Sequence, residues 1–254
     1  MRYFLDISYN GTNYHGWQIQ PNAHTVQAEI QSALSKMLRA ETAIVGSGRT
    51  DTGVHARKQV AHFDTVQSWE PSQLAYKLNA ILPNDVVINK VHLVKDDAHA
   101  RFDALERGYE YFLRMERSPF GLQESLYVPY KLDVELMNHA ASKLIGKQDF
   151  ESFSRVKTEV NNFICDLRKA EFIWREDLLV FEVKADRFLR GMIRALVGTL
   201  IDVGRGKLTP EDFVNIINAK DRKAAGKAAA PHGLFLTQVD YPEDIYLDFG
   251  EGKR

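Results

Sequence analysis

The 254-residue chain has a single cysteine, Cys165, so no disulfide can form within it. That suits a reducing compartment, and a cytoplasmic location is expected. No apolar run is long enough to span a bilayer. The first residues, Met1-Arg2-Tyr3-Phe4-Leu5-Asp6-Ile7-Ser8-Tyr9, alternate as a strand does and lack the apolar core of a secretory leader, so no membrane is expected. Net charge is nearly absent, with 33 basic against 34 acidic side chains. Phosphate-binding loops are missing too. Gly46, Gly48 and Gly53 do not give the dinucleotide spacing, and no Gly-Lys-Ser/Thr follows. His15, His55, His62, His92 and His99 show no His-Glu-x-x-His or Cys/His spacing, so no metal site is expected. No nucleophile elbow or Ser-His-Asp order supports a hydrolase. No cofactor is expected.

What remains is a globular composition, 44% hydrophobic and 26% charged, in a chain long enough for one large domain or two small ones. Charge is unevenly spread. From Lys184 to Lys227 ten basic residues face five acidic ones, whereas from Asp240 onward five acids face two bases. A basic half-surface can hold a polyanion through its local field despite a neutral total.

The periodicities predict strands at 2–9, 42–47, 57–65 and 86–94, with helices at 25–39 and from Pro71 through Leu82. A second set follows. Tyr109 to Met115 is a strand with Tyr109, Tyr111, Leu113 and Met115 on one face, and a helix spans 133–145 and ends at Gly146. Strands at 163–174 and 178–185 are joined by a turn at Glu176-Asp177. Helices run from Phe188 to about Val203 and from Thr209-Pro210-Glu211-Asp212, before a last strand at Leu234 to Tyr241. Two successive βαββαβ patterns give an α+β fold of two ferredoxin-like halves, 1–104 and 105–254. Lys220 to Pro231, rich in Ala, Lys and Gly, reads as the most mobile segment.

The segment Gly46-Ser47-Gly48-Arg49-Thr50-Asp51-Thr52-Gly53-Val54-His55-Ala56 stands out. Its glycines permit sharp turns and close approach to a ligand, and an Arg near the Asp51 carboxylate would keep it ionised for nucleophilic or base chemistry. A plain glycine-rich turn with Asp51 as a turn residue is the alternative. Arg187, Arg190 and Arg194 are spaced to form one basic stripe on the Phe188 helix, beside Phe188, Leu189, Ile193, Leu196 and Leu200. That stripe is either a solvated face or a set of half-buried arginines needing a carboxylate such as Asp51.

Ordered motifs along nearly the whole chain resemble the tRNA pseudouridine synthase A family. Tyr9-Asn10-Gly11-Thr12, Gly16-Trp17-Gln18-Ile19-Gln20-Pro21-Asn22 and Thr25-Val26-Gln27 are similar to its N-terminal signature. Gly48 to Ala56 is similar to its catalytic motif. Leu78-Asn79 with Leu82-Pro83, His99-Ala100-Arg101-Phe102, Arg107-Gly108-Tyr109-Glu110-Tyr111, Phe188 to Arg194, and Gly233-Leu234-Phe235-Leu236 follow in order. One departure is Ala185-Asp186-Arg187, where many members carry Gly or Asn.

The resemblance implies two sheets joined around a central catalytic cleft, and isomerisation of uridine to pseudouridine at positions 38, 39 and 40 of the tRNA anticodon stem-loop. Asp51 would be the nucleophile and Arg49 would help move the target nucleotide out of the stack. Tyr109 would stack on the uracil, Arg194 would pair with Asp51, and Leu234 would pack against the base. Arg187, Arg190, Lys220, Arg222, Lys223 and Lys227 would contact the RNA backbone. The partners implied are tRNA and a second copy of the chain. A non-catalytic RNA-binding protein or chaperone on the same fold is the competing class, although binding alone needs no carboxylate facing a polyanion. A small-molecule lyase or hydrolase using Asp51 lacks a second acid/base partner.

Overall fold

A computed structural model describes residues 1–155 and 162–249. Contacts divide the chain into two compact units. One comprises Met1–Leu105 with the described residues from Leu236 onward, and the other Glu106–Phe235.

The first unit runs β1 (Arg2–Tyr9), α1 (Val26–Leu38), β2 (Val45–Gly46), β3 (His55–Asp64), α2 (Pro71–Asn79), β4 (Val86–Val94). β1 is central and antiparallel to both β3 and β4, and β2 pairs with β3. The order β4-β1-β3-β2 is that of a ferredoxin-like sheet. Along β1, Tyr3, Leu5, Ile7 and Tyr9 are buried on one face, and Phe4 is buried on the other. The β1–β3 register slips between Ile7↔Gln59 and Tyr9↔Ala56, so β3 carries an extra residue there.

α1 begins where the Thr25 hydroxyl accepts the Ala28 N–H, and it buries Val26, Ile30, Ala33, Leu34 and Leu38. The expected strand at 42–47 shrinks to Val45–Gly46 because α1 takes its ladder groups. Ser35 Oγ accepts from Thr42 N, Gln31 Oε1 accepts from Ile44 N, and Gln27 Nε2 donates to Ile44 O. α2 stops at Asn79 rather than Leu82. At its end the Asn79 side-chain amide exchanges two hydrogen bonds with Ile88 of β4, at 2.9 and 2.8 Å.

The second unit holds β5 (Glu106–Arg114), β6 (Leu126–Tyr127), α3 (Val134–Ser142), β7 (Gly146–Asp149), β8 (Ile164–Arg175), β9 (Leu178–Ala185), α4 (Met192–Gly204) and α5 (Pro210–Ala219). β10 (Leu234–Asp240) begins in this unit and ends in the first. The order β5-β9-β8-β7 is antiparallel throughout, and β6 lies parallel to β5. The β8–β9 hairpin turns where Glu176 adopts φ +53°. α5 carries the expected Thr209/Asp212 capping box with Pro210 in its first turn.

Three further expectations need correction. α3 ends at Ser142, and Gly146, at φ +97°, opens the unforeseen strand β7. β5 ends at Arg114, so Met115 lies beyond its face. α4 begins at Met192, not Phe188. Gly191 at φ +73° interrupts the helical course, and the Arg190 carbonyl accepts from Arg155 N at 3.0 Å instead of starting a helix. No helix among the described residues is long and apolar enough to cross a membrane.

Candidate active site

In the first unit the glycine-rich segment links β2 to β3 and is fastened by the stretch that follows β1. Thr50 is buried. Its hydroxyl lies 2.8 Å from the Tyr9 hydroxyl, and its carbonyl accepts from Trp17 N at 3.2 Å. Asp51 follows, half-buried, and its carbonyl accepts from Val54 N at 3.1 Å, which closes the turn. Gly53, at φ +75°, donates its N–H to Tyr14 O at 3.3 Å. Arg49 is exposed.

Two glycines on the facing stretch make this approach possible. A Cβ on Gly16 would lie 2.5 Å from the Thr50 carbonyl oxygen, and one on Gly11 would lie 2.0 Å from that of Val54. The Gly11 N–H donates to His55 Nδ1 at 3.0 Å. Asp85 supports the stretch from behind, since its carbonyl accepts from Asn10 N and its carboxylate accepts from the Tyr14 hydroxyl at 2.6 Å. That phenol is pushed far up, first by burial and then by its bond to Asp85.

Sequence reasoning did not single out Tyr9, Tyr14, Asp85 or Gln59 as supports. Gln59 is fully buried on β3. It accepts from the Ser47 hydroxyl and donates to Gly48 O at 3.1 Å, so it ties down the start of the loop. Gln59 directly follows Arg57 and Lys58, so the sequence carries no signal that it is buried.

In the second unit Tyr109 stands on β5 opposite Val183, partly exposed, with its ring edge-on to Phe188 at 5.3 Å. Arg194 lies in the first turn of α4 and is half-buried. Its Nε donates to Ala229 O, and its own carbonyl accepts from Ala229 N, both at 2.8 Å. The neighbouring Tyr111 hydroxyl donates to Ala230 O at 2.7 Å. A Cβ on Gly233 would meet the Tyr111 ring at 2.8 Å, so Gly233 lets the chain pass closely before the buried Leu234. Arg194 and the segment leading to Leu234 are thereby brought together. Tyr111 titrates well above an ordinary tyrosine because it is buried, an effect that the nearby Arg194 charge opposes.

The three-arginine helical stripe is not observed. Only Arg194 is on α4. Arg187 and Arg190 belong to the connection before Gly191, where the Asp186 carboxylate accepts from Arg187 N at 2.7 Å. The Lys220 to Pro231 segment, expected to be the most mobile, makes defined contacts. Lys220 caps α5 with φ +48° and pairs with Asp149 at 2.9 Å. Arg222 Nη1 donates to Ala225 O and Gly226 O, and Gly226 N donates to Thr199 Oγ1 of α4. Gly198 has no room for a Cβ, which would come within 1.9 Å of Lys227 O. Lys223 and Lys227 have exposed side chains.

Among the described residues no group of three or more His, Cys, Asp or Glu side chains is arranged to hold a metal ion. Taken by itself, the first unit presents the half-buried Asp51 carboxylate, and the second presents the partly exposed Tyr109 ring and the half-buried Arg194. The sequence profile of the family described as tRNA pseudouridine synthase matches residues 7–103 and 140–242. The protein called tRNA pseudouridine synthase A in Bacteroides thetaiotaomicron is 49% identical over 250 residues, covering 97% of this chain and 93% of the relative. The same-named protein of Parabacteroides distasonis is 46% identical, covering 96% and 98% respectively. That of Bacteroides fragilis is 46% identical over 247 residues, also covering 96% and 98%. The profile match spans most of both units and includes the glycine-rich loop but not Tyr109's strand, the relatives match over nearly the whole chain, and the chain belongs to the tRNA pseudouridine synthase family.

Proposed function

We propose that the chain isomerises uridine to pseudouridine in tRNA, at positions 38, 39 and 40 of the anticodon stem-loop. The observation that carries this reading is the complete Gly48–Ala56 motif within the matched region, with Asp51 half-buried at a turn fastened on both sides. The reaction breaks the bond between ribose C1′ and uracil N1, turns the base, and joins C1′ to C5. The C5 proton leaves and N1 takes one up, so nothing is oxidised and no group is consumed. Asp51 supplies the carboxylate, as the nucleophile on the ribose or as the base that takes a proton from it.

The target base leaves the helical stack at a cost of a few kcal/mol. Tyr109 stacking on the uracil and Leu234 packing against it offset this, since stacking contributes roughly 1–3 kcal/mol per base. Arg49, exposed beside Asp51, takes part in displacing the nucleotide. Arg194 is the partner proposed for the Asp51 carboxylate. Arg187, Arg190, Lys223 and Lys227 contact phosphates, with Lys220 and Arg222 acting in part through the loop they stabilise. The enzyme works in the cytoplasm as a homodimer, each tRNA touching both subunits. A non-catalytic RNA-binding role is the weaker reading, because it gives no use to the Asp51 carboxylate. The test is to incubate the purified protein with unmodified tRNA and map pseudouridine by chemical labelling. Labelling at 38 to 40 is expected, and unlabelled tRNA would overturn the proposal.

A further inference from the structure

Asp51 is set by its neighbours, and its chain neighbour Thr50 has the most defined fastening of the loop. Tyr9, the last residue of β1, is buried, and its hydroxyl meets Thr50 Oγ1 at 2.8 Å across 41 residues of chain. The pairing between β1 and β3 slips just before Tyr9, which faces Ala56 rather than continuing the register of Ile7↔Gln59. The extra residue is on β3, whose course the bulge bends. Here it accompanies a phenol that reaches past β3's first residues to the loop preceding them. The Tyr9 ring lies 6.1 Å from the Trp17 ring, and Trp17 in turn donates its backbone N–H to the carbonyl of the same Thr50. Thr50 is thus held by its side chain and by its carbonyl from two buried residues, Tyr9 and Trp17. The peptide that carries Asp51 starts from that carbonyl.

We propose that Tyr9 is a positioning residue for catalysis. Through the Thr50 hydroxyl, its own hydroxyl fixes the direction in which the Asp51 carboxylate is presented to the ribose. This rests on the reading of Asp51 as the catalytic carboxylate. A tyrosine kept only to fill the core would act through its ring, and phenylalanine would replace it without loss. A hydroxyl kept for positioning makes a different prediction, because reactivity depends on geometry more steeply than stability does.

The test uses the full-length protein with unmodified tRNA and measures pseudouridine formation under saturating and limiting conditions. Tyr9→Phe removes only the hydroxyl. kcat is expected to fall about tenfold, with KM for tRNA unchanged. Thr50→Val, which removes the other hydroxyl, is expected to lower kcat similarly. The Tyr9→Phe/Thr50→Val double variant should be no slower than the worse single one, since the second change deletes a bond already lost. Thermal melting of each variant reports the folded fraction separately. A Tyr9→Phe enzyme within twofold of wild type in kcat would overturn the inference, as would additive losses in the double variant. A wild-type protein that forms no pseudouridine, or an Asp51→Asn variant that retains turnover, would instead break the reading on which it rests.

Discussion

Replacing Gly11 with alanine tests whether the segment after β1 holds the Asp51 loop in place. The added Cβ would stand 2.0 Å from the Val54 carbonyl oxygen and 2.7 Å from its carbonyl carbon. Ordinary carbon–oxygen contacts begin at about 3.3 Å, so one backbone must retreat by roughly 1 Å. Neither partner is the end of a flexible side chain. The Gly11 N–H also donates to His55 Nδ1, and Val54 donates to the carbonyl of Asp51, so the strain runs directly into the loop. Overpacking of this kind costs about 1–3 kcal/mol of stability. For a chain of this size that corresponds to a fall in Tm of roughly 2–10 °C. A displacement of about 1 Å at a reacting group lowers turnover by about 100-fold. The expected outcome is therefore a folded protein with a modestly lower Tm, near-normal tRNA affinity and a large loss of kcat. Melting curves, tRNA titration and a pseudouridine time course measure the three. A variant that turns over within threefold of wild type would refute the claim that this contact sets the loop.

Other outcomes follow from the same structure. Neutralising Lys223 and Lys227 is expected to weaken tRNA binding without changing which uridines react, and the difference should shrink as salt rises. Binding curves that stay superposed on wild type at low and moderate salt would remove these residues from the RNA surface. Arg222→Ala is expected to lower Tm rather than act only on binding, because it strips the Ala225 and Gly226 carbonyls of their donor; an unchanged melting curve would contradict this. His62 is held down at about 4 by burial, with Arg2 and His99 adding to the effect. As pH falls from 6.5 toward 4 the unfolded chain takes up a proton that the folded chain refuses, so stability should drop across that window. Urea midpoints against pH for wild type and His62→Gln will show whether that slope belongs to this residue.

Much of the fold was legible because local signals agreed with one another. The alternation of Arg2 to Tyr9 marks β1 although Phe4 is also buried, α1 covers most of the expected 25–39, and Thr209-Pro210 with Asp212 announces α5. The expected 178–185 strand matches β9, and the β8–β9 hairpin turns at Glu176. Signals that depend on tertiary partners were not legible. The apolar run from Phe188 looks helical, yet Gly191 and the Arg155–Arg190 contact delay α4 to Met192. Residues 42–44 have strand character, but side chains from α1 occupy their backbone groups. A composition rich in Ala, Lys and Gly reads as mobile at 220–231. In the structure its small residues allow close packing, with Gly198 opposite Lys227 and Gly226 bonded to Thr199. Asp51 could be picked out from its motif. The residues that fasten its loop could not, because Tyr9 and Thr50 meet across 41 positions and no local pattern records that contact.

The most direct test compares wild type and Asp51→Asn on unmodified tRNA in single-turnover pseudouridine mapping, with tRNA affinity measured in parallel. Amide and carboxylate are near-isosteric, so a loss should be chemical rather than structural. The account predicts pseudouridine at positions 38 to 40 with wild type, none with Asp51→Asn, and similar binding by both. Turnover by Asp51→Asn within tenfold of wild type would contradict it.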